Sequence, residues 1–162
     1  MKKILITGGA GYIGSKLATK LVGLKFDVTV LDVLKFSSSS LNHLFRHKNF
    51  NFIKGDVRNE KLIKNLIKKN EYIVPLAALV GAPLCEKNKK EAKSVNLNSI
   101  KTLMKNIKKK NKIIYLTTNS GYGVGEKNKY CDEKSKLNPI SLYGRTKVDA
   151  ENIVMKSKNT IG

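Results

Sequence analysis

The sequence predicts an α/β protein built around a doubly wound parallel sheet, and three observations support this fold class. Short apolar segments alternate with amphipathic segments along the whole 162-residue chain. The apolar segments are rich in Ile, Val and Leu, which is typical of parallel strands covered on both faces. A glycine-rich stretch, TGGAGYIG at 7–14, follows the first apolar segment and opens the first amphipathic one. This alternation predicts strands connected by helices.

The apolar segments predict five strands of the sheet. They are Lys3–Thr7, Asp27–Leu31, Phe50–Lys54, Tyr72–Leu76 and Lys112–Thr117. Because crossover connections between parallel strands are right-handed, we expect the strand order 3-2-1-4-5. The last residues, KNTIG at 158–162, are predicted to begin a sixth strand.

The amphipathic segments predict four helices, one after most of the strands. They are Tyr12–Gly23, Asn59–Lys69, Lys87–Lys110 and Ser141–Ser157. In the first of them, Ile13, Leu17 and Leu21 are spaced by four and form an apolar stripe on one face. The polar segment 121–138 is predicted to be a loop over the carboxyl edge of the sheet, where ligands bind in such folds.

Length and composition predict a globular protein whose single domain spans residues 1–162. Hydrophobic residues make up 41% of the chain and charged residues 27%. No apolar run approaches the roughly 20 residues that span a bilayer, and the first one is too short for a signal peptide, so we expect a cytoplasmic protein. Cys85 and Cys131 have no metal-site spacing, so no metal site is predicted.

The net charge of +20 raises the possibility of a nucleic-acid or membrane partner. The lysines are scattered over the whole chain, however, and the densest run, 105–112, lies at a predicted helix C-terminus, where cations are favoured. We therefore predict neither nucleic acid nor membrane as a partner. A basic surface is suited to steering an anionic small substrate.

The glycine-rich stretch has the pattern and the surroundings of a site for a dinucleotide pyrophosphate. Gly8, Gly11 and Gly14 lie between a predicted strand and a predicted helix. Glycines there permit a sharp turn, close approach of the backbone to the pyrophosphate and tight packing of the helix on the strand. The helix N-terminus then presents free N–H groups to the phosphates.

An aspartate at the end of the second predicted strand favours NAD as the cofactor. Asp32 follows Gly14 by 18 residues, where a carboxylate accepts hydrogen bonds from the adenosine ribose and repels a 2′-phosphate. The alternative is an ordinary aspartate in a turn at the end of a strand. Lys35 lies close by and leaves NADP open.

Two further strand ends are predicted to contact the cofactor. After the third strand, Asp56 is placed to meet the adenine amino group and Val57 to lie behind the ring. At the end of the fourth strand, Leu76, Ala77 and Ala78 offer mostly small side chains across which the cofactor can lie. The alternatives are a simple turn at Asp56 and close packing under a helix at the alanines.

The candidate catalytic pair lies near the C-terminal end of the chain. Tyr143 and Lys147 are four residues apart, so on a helix they share one face, and the ammonium group stabilises a tyrosinate beside it. Such a pair also occurs by chance on protein surfaces. Thr117 and Thr118 end the fifth predicted strand and offer a hydroxyl that completes a donor–acceptor site.

Together these motifs resemble the extended short-chain dehydrogenase/reductase family, in its NAD-dependent epimerase/dehydratase branch. The matching stretches occur in the family's order, and the 25-residue step from Thr118 to Tyr143 suits the family's hydroxyl and tyrosine. The resemblance implies a Rossmann fold. The stretches are TGGAGYIGS at 7–15, Asp32, GDVRN at 55–59, LAALVG at 76–81, VN at 95–96, TTNSGYG at 117–123 and NPISLYGRTKVDAE at 138–151.

The resemblance also implies catalytic roles. Tyr143 would be the general base that takes a proton from a sugar hydroxyl as hydride leaves the sugar carbon for NAD. Lys147 would hold the nicotinamide ribose and support Tyr143, and Thr118 would hydrogen-bond the reacting oxygen. The substrate would be a nucleotide sugar.

Other implied roles concern binding. The backbone of Tyr12 and Ile13 would contact the pyrophosphate, and Asn96 would steady the active-site backbone or a bound water. Pro75 departs from the family pattern, which often has histidine there, and it removes a strand donor. Family members are also much longer, so the resemblance implies that the C-terminal substrate subdomain is missing.

Three hypotheses about function follow from the sequence. The first is an NAD-dependent nucleotide-sugar epimerase or dehydratase, of which this chain is the N-terminal portion. The second is a truncated NAD-binding module without turnover, and the third is a basic interaction protein on a Rossmann scaffold. The resemblance also implies a homodimer through the helices at 87–110 and 141–157.

Overall fold

A six-stranded parallel sheet forms the centre of the computed structural model, which describes residues 1–36, 38–125, 130–158 and 160–161. The strand order is β3-β2-β1-β4-β5-β6. The predicted order 3-2-1-4-5 is confirmed, and the predicted sixth strand pairs in parallel with β5. The strands are β1 Lys3–Thr7, β2 Asp27–Asp32, β3 Phe50–Lys54, β4 Tyr72–Pro75, β5 Lys112–Ile114 and β6 Thr160–Ile161.

Helices connect the strands, and two short 3₁₀ turns interrupt the loops at Asn42–Leu44 and Asn119–Gly121. A π-helical turn, Ser94–Asn98, joins two of the helices. The helices are α1 Tyr12–Gly23, α2 Glu60–Lys69, α3 Ala82–Lys87, α4 Lys89–Lys93, α5 Ser99–Asn106 and α6 Leu142–Met155. None of the helices in the described part of the chain is long and apolar enough to cross a membrane.

The sheet separates two apolar clusters, as a doubly wound fold requires. On one face, Ala18 and Val22 of α1 pack against Ile6 of β1 and its neighbours. On the other face, α2, α5 and α6 pack against a layer that contains Leu5 and Ile73. Because alternate residues of a strand point to opposite faces, Leu5 and Ile6 belong to different clusters. Because every strand pairs in parallel with its neighbours, the carboxyl ends of the strands lie at one edge of the sheet.

The fourth strand ends at Pro75, one residue earlier than predicted. The hydrogen-bonding pattern around it explains why a proline is tolerated there. Leu76 donates its N–H to the Thr7 carbonyl at 2.9 Å. Successive N–H groups point to opposite sides, so the amide position of Pro75 faces β5. Pairing between β4 and β5 has already stopped at Ile73 and Ile113. The proline therefore removes no ladder hydrogen bond.

The fifth strand was predicted to reach Thr117, and this boundary is wrong because β5 ends at Ile114. Beyond Ile114 the backbone hydrogen-bonds to a side chain of α6: the Leu116 carbonyl accepts a hydrogen bond from Lys147 Nζ at 2.9 Å. The apolar run continues past the strand because Tyr115 is buried against the helices.

The predicted single helix Lys87–Lys110 is also wrong at its beginning and in its continuity. Helical structure begins at Ala82, after Gly81 with φ +93° and with Pro83 in the first turn, where proline is favoured. It breaks at Asn88, which has φ −126° and ψ 53°, between α3 and α4. The π-helical turn then leads into α5.

The end of that segment lies four residues before the predicted one. Helix α5 ends at Asn106, and Ile107 is extended with ψ 142°. The buried Asn111 forms the turn that follows, accepting a hydrogen bond from the Lys108 backbone N–H at 2.8 Å. Its amide also donates to the Asn70 carbonyl at 2.7 Å, which fixes this turn beneath α2.

The other predicted helices are confirmed within two residues. Asn59 and Ser141 are N-caps rather than first helical residues: their side chains accept hydrogen bonds from the N–H groups of Leu62 and Gly144. Helix α6 ends at Met155. The predicted loop 121–138 contains no α-helix or strand in its described part, and residues 126–129 of that prediction lie outside the described residues.

Candidate active site

A cavity of about 630 Å³ opens at the carboxyl ends of the strands. Its volume lies within the range of small-molecule sites, and its place is where doubly wound sheets bind ligands. Most of the sequence-predicted site residues line it, so the glycine turn and the Tyr143–Lys147 pair share one cavity. These residues are Gly8, Gly11, Tyr12, Ile13, Gly14, Asp32, Asp56, Val57, Leu76, Ala77, Ala78, Tyr143 and Lys147. Asn96 and Thr118 are not part of the lining.

Three glycines of the turn, Gly8, Gly9 and Gly14, have no room for a side chain. Gly8 has φ +71°, and a Cβ there would lie 2.5 Å from the backbone nitrogen of Ala77. A Cβ on Gly14 would lie 2.5 Å from the Gly8 carbonyl oxygen. A Cβ on Gly11 would meet only that same oxygen, at 3.2 Å. The turn is therefore packed tightly against β4, and at Gly11 its backbone is open to a ligand.

The first turn of α1 has free capacity for an anion. Gly11 is the N-cap and makes no side-chain capping bond, and the turn contains no acidic residue. Its side chains point outward, with Tyr12 85% and Ile13 53% exposed. Backbone N–H groups at such a helix start bind phosphate well. The cradle at Gly8, Gly11 and Gly14 thus fits the pyrophosphate of a dinucleotide.

Asp32 fixes the glycine turn as well as facing the cavity. One carboxylate oxygen accepts a hydrogen bond from the Ala10 N–H at 2.9 Å, and the other accepts one from the Leu34 N–H at 2.8 Å. Each carboxylate oxygen has a second lone pair, so the group retains capacity for two hydroxyl donors. The contact of Asp32 with a ribose stays a prediction.

Asp56 has a partner that the sequence interpretation missed. The Nε of Arg58 donates to both carboxylate oxygens of Asp56 at 2.9 Å. These hydrogen bonds hold the pKa of the Asp56 carboxyl below its usual value. Arg58 also lines the cavity. The signal was present in the sequence, since an arginine two residues after an aspartate in a turn is within reach of it.

Lys147 is held in a buried position beside Tyr143. Its side chain is on α6, it is only 9% exposed, and its Nζ lies 4.3 Å from the centroid of the Tyr115 ring. The Leu116 carbonyl accepts one of its three hydrogens. Burial lowers the pKa of Lys147 from 10.5 to about 8, and the charge of Glu151 opposes that shift. The ammonium therefore has two further donors for a ligand in the cavity.

The two threonines after β5 face different surroundings. The Thr118 hydroxyl accepts a hydrogen bond from the Ser120 N–H at 3.3 Å and caps the short 3₁₀ turn. Thr117 lines the cavity with Tyr143, and its hydroxyl donates to the Glu151 carboxylate. The structure thus places the neighbour of the predicted hydroxyl, rather than Thr118 itself, in the cavity wall.

Asn96 lies behind the cavity and positions its backbone. The residue is 2% exposed, and its side-chain oxygen accepts the Leu79 N–H at 2.8 Å. Its amide donates to the Leu79 carbonyl at 3.0 Å and to the Thr146 hydroxyl at 3.4 Å. This pair of hydrogen bonds to the Leu79 backbone fixes the segment after β4.

Removing the buried charge of Lys147 is expected to stabilise the fold at neutral pH. The lowered pKa means that the buried charge destabilises the folded state by about 3 kcal/mol at pH 7. Loss of the hydrogen bond to the Leu116 carbonyl offsets part of the gain from removing this charge. The free energy of unfolding of Lys147→Met should therefore exceed that of wild type by about 1–3 kcal/mol at pH 7. The unfolded chain binds more protons between pH 8 and 10.5, so wild-type stability rises across that window. The stability advantage of Lys147→Met over wild type should therefore shrink between pH 8 and 10.5.

Denaturant unfolding at pH 7 and pH 10 measures this difference directly. The matched control is Lys101→Met on α5, whose side chain is exposed and which should alter stability little at either pH. A Lys147→Met variant that is less stable than wild type at pH 7 would show that the contacts of the ammonium outweigh its burial.

Metal ligands and a disulfide are not features of the described residues. No group of three or more His, Cys, Asp or Glu side chains in this part of the chain could hold a metal ion. Cys85 is buried and Cys131 is exposed, and both are free thiols. The site therefore offers backbone donors, carboxylates, a tyrosine and a buried lysine.

A doubly wound sheet with a glycine turn at its switch point defines a nucleotide-binding α/β domain. Comparison with known proteins is more specific. The chain belongs to the NAD dependent epimerase/dehydratase family, whose model matches residues 4–162. This family binds NAD.

Among curated relatives, the chain is 34% identical to a dTDP-D-glucose 4,6-dehydratase from Dictyostelium discoideum over 95% of its own length and 40% of that protein. It is 30% identical to a bifunctional UDP-glucose 4-epimerase and UDP-xylose 4-epimerase from Pisum sativum, over 94% of this chain and 46% of the relative. The chain thus spans less than half the length of these relatives.

Solved structures show the same partial coverage. The UDP-Glc/GlcNAc 4-epimerase from Campylobacter jejuni superposes with a TM-score of 0.87 and 30% identity, over 96% of this chain and 49% of that one. A UDP-glucuronic acid 4-epimerase from Bacillus cereus, in complex with UDP-glucuronic acid and NAD, gives a TM-score of 0.84 and 28% identity. That comparison covers 95% of this chain and 51% of the other.

Proposed function

We propose that this chain binds NAD and provides the hydride-transfer residues of a nucleotide-sugar epimerase or dehydratase, as its N-terminal portion. The observation that carries the proposal is the shared cavity. The glycine cradle, Asp32 and the Tyr143–Lys147 pair all line it, although these residues are up to 139 positions apart in the sequence. Cofactor recognition and proton transfer therefore occur at one site.

The binding roles follow from the groups in the cavity wall. The first-turn N–H groups of α1, at Tyr12 and Ile13, bind the pyrophosphate. Asp32 accepts hydrogen bonds from the adenosine ribose, which favours NAD over NADP. Val57 backs the adenine, and Ala77 leaves space for the cofactor across the end of β4.

Bound NAD supplies the hydride acceptor, and the side chains of this chain manage the proton. Tyr143 takes the proton from the sugar hydroxyl whose carbon is oxidised. Lys147 uses its remaining donors to hold the nicotinamide ribose and to favour the tyrosinate. A threonine hydroxyl after β5 hydrogen-bonds the reacting oxygen: Thr118 is the residue predicted for this role, and its neighbour Thr117, which lines the cavity, is the alternative. Asn96 positions the backbone after β4 so that this arrangement is kept.

The substrate we propose is a nucleoside diphosphate sugar, in which the sugar is attached to UDP or dTDP. The relatives include a dTDP-D-glucose 4,6-dehydratase and UDP-sugar epimerases. The net charge of +20 suits attraction of such an anion. We also propose that the protein forms homodimers through segments 87–110 and 141–157, which contain α4 and α5 in the first segment and α6 in the second.

A second candidate function has one observation in its favour. Because the chain spans 40% to 46% of the length of its curated relatives, it could act as an NAD-binding module without turnover. The two candidates share the cofactor site and differ only in whether a sugar is oxidised.

Two measurements separate these candidates. Isothermal titration with NAD tests the cofactor site, and incubation with UDP-glucose or dTDP-glucose plus NAD, followed by NMR of the sugar, tests turnover. Binding with product formation supports the enzyme. NAD binding without any change in either sugar supports the module. A chain with no heat of binding at millimolar NAD contradicts both.

A further inference from the structure

Two cations line the cavity beside Asp32, and each is paired with a carboxylate of the same wall. Lys35 pairs with Glu91, and Arg58 pairs with Asp56. Unpaired cations at this place would attract the 2′-phosphate that distinguishes NADP from NAD. The pairing therefore bears on which dinucleotide the cavity accepts.

The Lys35 pair joins two distant segments. Lys35 lies in the segment after β2, three residues beyond Asp32, and Glu91 is on α4. Lys35 Nζ donates to both carboxylate oxygens of Glu91, at 2.8 Å and 2.9 Å. The ammonium is thus directed to α4, and its charge is balanced there.

We infer that Glu91 is a specificity-determining residue: by holding Lys35, it keeps the cavity selective for NAD over NADP. The inference rests on the proposed NAD site. An NADP molecule would bring its 2′-phosphate to the hydroxyl position that Asp32 recognises, and two negative groups would meet there. A free lysine three residues away would relieve this repulsion with a charge-assisted hydrogen bond.

The Lys35 pair is the one of the two that can be released. Arg58 contacts Asp56 by side chain and by its backbone N–H, within two residues, so that pair is fixed by the turn. Lys35 and Glu91 are 40% and 31% exposed, and lysine has a flexible stem that allows its charge to move. Removing the Glu91 charge should therefore free Lys35 without unfolding the wall.

The test is the affinity of Glu91→Gln for both dinucleotides, measured by isothermal titration at low salt. Glutamine keeps the size of the side chain and removes its charge. The dissociation constant for NADP should fall about tenfold relative to wild type, as expected for one gained charge-assisted contact to phosphate. The dissociation constant for NAD should change little, because NAD has no 2′-phosphate.

Two controls assign the effect to Lys35. Glu86→Gln removes an exposed carboxylate from the neighbouring helix, where it pairs with Lys89 outside the cavity lining, and should leave NADP affinity unchanged. Lys35→Met added to Glu91→Gln should abolish the gain. Unchanged NADP affinity in Glu91→Gln, with NAD still bound, overturns the inference alone. Failure of wild type to bind NAD overturns the proposed function as well.

Discussion

Replacing Gly8 with alanine is expected to lower the free energy of unfolding by about 2–5 kcal/mol and to abolish NAD binding. A non-glycine residue at φ +71° costs about 1–2 kcal/mol, and overpacking a tight contact adds about 1–3 kcal/mol. The new methyl group would lie 2.5 Å from the Ala77 nitrogen and 2.8 Å from the Leu76 carbonyl carbon. Both atoms are backbone and cannot rotate away.

Loss of binding follows from the same contact. To relieve it, the glycine turn must move away from the end of β4, and both line the cofactor cavity. The Gly8 N–H also donates to the Leu31 carbonyl at 2.8 Å, and a shift of the turn would break this link to β2. Stability and recognition are thus lost together.

Urea unfolding and NAD titration measure the two effects, and Gly23→Ala is the matched control. Gly23 ends α1, and a methyl group added there has no neighbour within 4 Å. Gly23→Ala should therefore raise the free energy of unfolding by up to about 1 kcal/mol. If Gly8→Ala unfolded at the wild-type urea concentration, the close approach of the turn to β4 would be contradicted.

The fold was predictable because its signals are local. Each strand carries its own apolar run, and the glycine turn marks the switch from strand to helix at residues 7–14. The segment 87–110 was interpreted as one helix because apolar residues recur at near-helical spacing from Val95 to Ile107, straight through the π-helical turn. Side-chain patterns do not register a change in backbone hydrogen bonding.

Strand boundaries depended on neighbours that the sequence does not reveal. β5 stops at Ile114 because the chain beyond it bonds to Lys147 on α6, although the apolar run continues. β4 ends at Pro75, where its pairing with β1 ends at Thr7. Both boundaries are set by contacts with other elements, so a local pattern extends too far.

The site was predictable where a motif carries it and unpredictable where distant residues meet. The glycine turn, Asp32 and the Tyr143–Lys147 pair line one cavity, as their sequence patterns indicated. The pairing of Lys35 with Glu91, 56 residues apart, has no local signal. The sequence also had no local signal for which of Thr117 and Thr118 lines the cavity. Adjacent residues of an extended chain point in opposite directions, so only one of the two can face it.

Replacing Tyr143 with phenylalanine is expected to reduce sugar oxidation by about 10²- to 10⁴-fold, the usual contribution of a general base. The Tyr143 ring packs against the main apolar cluster, so phenylalanine keeps this packing and removes only the hydroxyl. The backbone carbonyl of Tyr143 still accepts the Thr146 hydroxyl, so the helix turn is preserved. Stability should therefore change little.

Affinity for NAD should also be retained in Tyr143→Phe, because the contacts we propose for the pyrophosphate and the adenosine ribose lie on α1 and Asp32. The variant thus separates binding from proton transfer. Turnover of UDP-glucose and dTDP-glucose is measured beside NAD titration, with Tyr122→Phe as the control, since Tyr122 is half-buried outside the cavity lining. Equal turnover in wild type and Tyr143→Phe would remove Tyr143 from the reaction. Loss of NAD affinity in the variant would assign its hydroxyl to cofactor binding instead.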